Sequence, residues 1–70
     1  MYIEMRLESS HGEIVHKMDS PVVPRENEYV IIDDKAYRVS YVVYITTDYG
    51  SMCAVIILKD DKDKPKKYVN

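Results

Sequence analysis

The chain has 70 residues, with ten Lys and Arg against twelve Asp and Glu, for a formal charge of −2. A chain this short buries only about 60% of the surface it exposes when unfolded, so it builds one small domain without the walls of a deep substrate pocket. The mild acidity weighs against nucleic-acid binding, which draws most of its affinity from a basic face that neutralises phosphate.

At the N-terminus, Ile3, Met5 and Leu7 alternate with Tyr2, Glu4, Arg6 and Glu8, which reads as a half-buried strand. Charges interrupt every apolar pair there, so the segment is not expected to be a secretory signal. Ser9-Ser10-His11-Gly12 reads as a turn, and Ile14, His16 and Met18 then alternate with Val15 and Lys17 as a second strand. Pro21 and Pro24 lack backbone donors, so residues 19–24 read as an extended crossing loop. Arg25-Glu26-Asn27-Glu28 turns the chain into a third strand, Tyr29 to Ile32, ended by Asp33-Asp34-Lys35-Ala36.

The strongest strand signal is Tyr37 to Thr46, dense in β-branched and aromatic residues. Thr47 to Ser51 forms a hairpin loop, and Met52 to Lys59 returns as a fifth strand. No segment carries a helical apolar stripe between caps. The expected fold is all-β: a small five-stranded barrel, or a strongly curled antiparallel sheet, over residues 1–60. From Lys59 to Tyr68 acidic and basic side chains intermix and largely cancel, and residues 61–70 read as a charged, flexible tail. No apolar run approaches the roughly 20 residues of a membrane-spanning helix. The single cysteine, Cys53, has no internal disulfide partner, so the expected location is cytoplasmic.

Catalytic chemistry finds few parts. His11 and His16 are the only histidines, one in a turn and one in a strand, and neither a Cys-x-x-Cys nor a His-x-His spacing occurs. Cys53 lies between Met52 and Ala54 in the best-formed strand, where it reads as a small inert wall residue rather than a nucleophile. Asp33-Asp34 and Asp60-Asp61 are neighbours, and neighbours on a strand face opposite ways, so neither pair reads as a proton-sharing dyad. No glycine-rich phosphate loop is present. The chain is expected not to be an enzyme and to need no metal or cofactor.

Residues Val23-Pro24-Arg25-Glu26-Asn27-Glu28-Tyr29-Val30-Ile31-Ile32 and the spacing Tyr37-x-Val39-x-x-Val42, followed by Tyr44, resemble a pattern in short proteins of phages and other mobile elements. The resemblance covers about a third of the chain and implies a five-stranded SH3-like barrel with no shared activity. Asn27-Glu28 stands where the pattern has a glycine step, and asparagine tolerates the left-handed region that such a turn needs. A phage origin implies action in the host cytosol.

The hairpin over 37–59 has more apolar surface than one core face can use. Strict alternation puts Tyr37, Val39, Tyr41, Val43 and Ile45 with Met52, Ala54, Ile56 and Leu58 on the core side, leaving Val42, Tyr44, Val55 and Ile57 outside. A β-bulge near Ser40-Tyr41, as the Tyr-x-Val-x-x-Val spacing suggests, turns Val42 and Tyr44 inward and Tyr41, Val43 and Ile45 outward. Either way an apolar row is left over, and such a patch marks an interaction site. The candidate partner-binding residues are Tyr41, Val43, Tyr44, Val55 and Ile57. The expected function is a protein-interaction module that docks on a protein partner, a second copy, or both. The resemblance implies a mobile-element protein that binds and inhibits a host defence protein. The alternative is a single-strand nucleic-acid binder that stacks bases on some of the seven tyrosines.

Overall fold

The computed structural model describes residues 1–60, and the expected charged tail over 61–70 lies outside the described residues. Five strands follow in chain order: β1 (Tyr2–Leu7), β2 (Glu13–Asp19), β3 (Tyr29–Ile32), β4 (Lys35–Thr46) and β5 (Met52–Asp60). The only helical element among the described residues is a single 3-10 turn, Glu8–Ser10, between β1 and β2. His11 at φ 54° and Gly12 at φ 83° then reverse the chain, and the Gly12 N–H closes the turn on the Leu7 carbonyl at 3.0 Å.

All five strands join one sheet in the order β2-β1-β5-β4-β3. The hairpins β1–β2, β3–β4 and β4–β5 are antiparallel, as expected, but β1 and β5 pair in parallel. That seam sets Ile3 beside Ala54, Met5 beside Ile56 and Leu7 beside Leu58, and so joins the two halves of the chain through its centre. The sheet is strongly curled into a half-barrel. Two irregularities in register, at Met5/Arg6 opposite β2 and at Val39/Tyr41 opposite β5, add local twist. The curl stops short of closure, since β2 and β3 sit at opposite ends of the strand order.

The core lies on the inner face. Ile3, Met5, Tyr37, Val39, Ala54, Ile56 and Leu58 form one buried cluster, with Leu7, Val15, Val23, Val30, Ile32 and Val42 packed against it. Val23 belongs to the crossing loop, so the proline-bearing segment closes part of the inner face that a helix covers in larger folds.

Turn chemistry places the strands that flank the candidate site. Arg25 to Glu28 forms a β-turn, with the Glu28 N–H donating to the Arg25 carbonyl at 3.0 Å. Asn27, its third residue, has φ 73°, as the left-handed reading of this position requires. Asp33 and Asp34 have φ 50° and 66°, so two residues suffice to connect β3 to β4. This is why β4 begins at Lys35, two residues before the expected start at Tyr37.

Candidate protein-docking face

The irregularity in β4 decides which side chains face outward. Val39 lies opposite Leu58, whereas Tyr41 lies opposite Ile57, so Ser40 is the extra residue of a bulge. Strict alternation, which had kept Tyr41, Val43 and Ile45 on the core side, is therefore corrected. Val42 and Tyr44 lie opposite Ile56 and Ala54 on the inner face, while Tyr41, Val43 and Ile45 lie opposite Ile57, Val55 and Cys53 on the outer face. The Ser40 hydroxyl donates to a Glu8 carboxylate oxygen at 2.9 Å, which ties the bulge to the turn after β1.

The outer face carries a shallow groove of about 480 Å³, lined by Glu4, Arg6, Tyr41, Val43, Ile45, Cys53, Val55 and Ile57. Its floor is the middle strand β5, where Val55 and Ile57 are only 8% and 9% exposed. One wall is β4, where Tyr41, Val43 and Ile45 stand 47%, 42% and 49% exposed. The other wall is β1. There the Arg6 guanidinium pairs with Glu4 at 2.8 Å and also donates to the Gly12 carbonyl at 3.2 Å, so the two charges cancel against each other. An apolar wall and a neutralised polar wall thus border a dry floor. This arrangement favours apolar contact with a narrow polar margin.

Four of the five candidate residues, Tyr41, Val43, Val55 and Ile57, share this groove. Tyr44 does not: it lies on the opposite face, across from Ala54, near the hairpin tip. The structure adds Ile45, Cys53, Glu4 and Arg6. Ile45 followed from the bulge, but Glu4 and Arg6 reach β5 only through the parallel seam, which no turn signal announces. Cys53 is half-buried and lines the groove.

The tyrosines are scattered. Tyr37 is buried, Tyr49 sits exposed in the β4–β5 loop, and Tyr44 is on the inner face. Tyr29 lies under the Arg38 guanidinium, 4.9 Å from ring centre to charge, and accepts a hydrogen bond from it. His16 lies in β2 opposite Met5, while His11 is in the turn before that strand. No group of three or more metal-ligating side chains occurs among the described residues. No helix among them is long and apolar enough to cross a membrane.

Comparison with protein-family models, with curated proteins and with solved structures finds no match for this chain.

Proposed function

We propose that this chain is a protein-interaction module that docks on a partner protein through the outer face of β4 and β5. One observation carries the reading: Tyr41, Val43 and Ile45 form an exposed apolar wall beside a floor that the sheet has already dried. Burying such side chains is worth about 1.5–3 kcal/mol each when complete, so a complementary apolar stripe gains most of its affinity here. The resemblance over residues 23–44 extends the reading to an SH3-like protein of a phage or mobile element, acting in the host cytosol by binding and inhibiting a defence protein. A non-enzymatic role accords with a shallow, neutral groove. The alternative, single-strand nucleic-acid binding, has thinner support. Stacking needs neighbouring rings with basic residues between them, and the tyrosines lie on different faces.

The test is affinity capture from the organism of origin with the wild type and with Val43→Lys, identified by mass spectrometry. A protein retained by the wild type and lost by the folded variant supports the reading. Equal capture by both chains, or no specific capture by either, refutes it.

A further inference from the structure

The β4 strand is longer than the neighbour that covers it. The β3 ladder reaches only from Lys35 to Arg38 of β4, and the turn before β3 extends it by one step. There Val39 receives the Asn27 N–H at 2.9 Å and donates to the Glu28 carbonyl at 2.8 Å. From Tyr41 to Thr46, no backbone group of the described residues bonds to the side of β4 away from β5. Among the described residues, the half of β4 that leads to the hairpin loop is therefore a free edge.

The hairpin closure shows which groups point outward. The Thr47 N–H donates to the Ser51 carbonyl at 2.9 Å, so this pair is directed across the hairpin. Backbone direction alternates along a strand. Tyr41, Val43 and Ile45 therefore bond toward β5, and Val42, Tyr44 and Thr46 present N–H and C=O groups to solvent. An edge of this kind is a template for another strand.

Native proteins guard such edges with charge, proline or brevity, and the other two edges of this sheet are guarded. The β2 edge carries Glu13, Lys17 and Asp19 and is broken by a bulge at Val15. The β3 edge spans only Tyr29 to Ile32 and runs into Asp33 and Asp34. The β4 edge reads Tyr-Val-Val-Tyr-Ile-Thr, with no charge, proline or glycine. Of the three, it alone combines a six-residue run with the absence of any charge.

We propose that two copies of this chain pair antiparallel along the Tyr41–Thr46 edge of β4, about a two-fold axis at Tyr44, to form one continuous sheet. Directly opposed residues share a face, so the axis must fall on a residue and not between two. An axis at Val43 would bring Thr47 of one copy against Val39, where Asn27 and Glu28 already bond. An axis at Tyr44 clears that turn. It sets Val42 opposite Thr46, Val43 opposite Ile45, and Tyr44 opposite itself, and it uses every outward-pointing group. The outer walls of the two copies then merge into one apolar face. The closed pair consumes this edge and leaves only the guarded ones, so assembly stops at two. The proposal extends the interaction-module reading but rests on the backbone edge and not on the outer groove.

The test is sedimentation of the full chain from micromolar to millimolar concentration, with two single variants, Tyr44→Lys and Tyr44→Glu. The wild type is expected to be a dimer. Each variant alone opposes like charges at the axis and is expected to weaken the dimer at least about tenfold. An equimolar mixture is expected to restore a one-to-one heterodimer, since only then does lysine meet glutamate. Cooperative unfolding of each variant, followed by circular dichroism, confirms that the chains remain folded. A monomeric wild type, a dimer indifferent to both variants, or a mixture that fails to reassociate overturns the proposal. The two readings fail separately. A monomer that still captures a partner through Val43 overturns the edge alone, and an intact dimer that captures nothing overturns the docking reading alone.

Discussion

Ser40, the one residue of β4 between its two registers with β5, donates its hydroxyl to Glu8 at 2.9 Å. This contact links the bulge that turns Tyr41, Val43 and Ile45 outward to the turn that follows β1. A local irregularity in one hairpin is thereby fastened to the other hairpin.

Replacing Ser40 by alanine removes this bond while leaving the bulge count unchanged. The contact is exposed, so the expected loss is at the low end of the usual range, about 0.5–1 kcal/mol. Deleting Ser40 is expected to yield a folded chain as well. Without the extra residue, Val39 remains inward and Tyr41 outward, and every apolar side chain keeps its face. Urea unfolding of both variants is the measurement, and each should retain a single cooperative transition.

The bulge was legible because Tyr37-x-Val39-x-x-Val42 breaks the period of two at one point and restores it. The hairpins were legible for a similar reason: turn residues at positive φ, such as Asn27 and Gly50, stand between alternating runs. The parallel seam was not. Parallel strands need no tight turn between them, so nothing local in Tyr2 to Leu7 points to Cys53 to Leu58. Without that seam, the groove lacks its Glu4–Arg6 wall, and Val55 and Ile57 look exposed when they are floor. The inward direction of Tyr44 was available from the bulge, but its place in the site depended on choosing between two registers.

Asn27 holds φ 73° and donates to the Val39 carbonyl at 2.9 Å. Asn27→Gly is expected to be nearly neutral, because glycine enters the left-handed region freely at a modest entropic cost. Asn27→Val is expected to cost about 1–2 kcal/mol, since a β-branched side chain clashes there. The difference between the two variants in thermal or urea unfolding isolates backbone strain from lost side-chain contacts.

Lys35 is a fully exposed ammonium whose pKa is raised above its ordinary 10.5, first by its hydrogen bond to Asp60 and then by the charge of that carboxylate. The pair is separated by 3.2 Å and bridges the start of β4 to the end of β5. A raised lysine pKa means the fold favours the charged form. The contribution is fully present below the unfolded pKa and is lost as pH rises through the folded one. Stability of the wild type relative to Lys35→Met should therefore decline above about pH 10.5, and the difference should shrink with added salt. Denaturant midpoints of both chains across that range, at low and high ionic strength, measure it.

Cys53 is half-buried on the outer groove beside Val55 and Ile45. Cys53→Ala is expected to leave the fold intact and partner capture largely unchanged, because the thiol contributes one small side chain to the floor. The native thiol also serves as a reporter. A bulky maleimide should label it in the free chain and label it at least several-fold more slowly when a partner fills the groove. Mass spectrometry of labelled chain with and without partner reads the ratio. Equal labelling would place the partner elsewhere.

The groove has two kinds of apolar residue, and charge should affect them differently. Val55 and Ile57 are almost fully covered by their neighbours, so Val55→Lys and Ile57→Glu force a charge into a dried floor. Both are expected to lower stability by about 2 kcal/mol or more, a large share of what a small domain has. Loss of binding in them reports damage to the sheet and not to a contact. Tyr41 and Val43 stand nearly half exposed, so Tyr41→Glu and Val43→Lys can send their charges into solvent. These two should cost no more than about 1 kcal/mol, chiefly in strand propensity. Urea unfolding of all four chains, set beside partner capture by the same four, separates the effects. The expected pattern is that floor variants lose stability first and wall variants lose capture while remaining folded. If wall variants keep full capture, the exposed apolar row is not the docking surface.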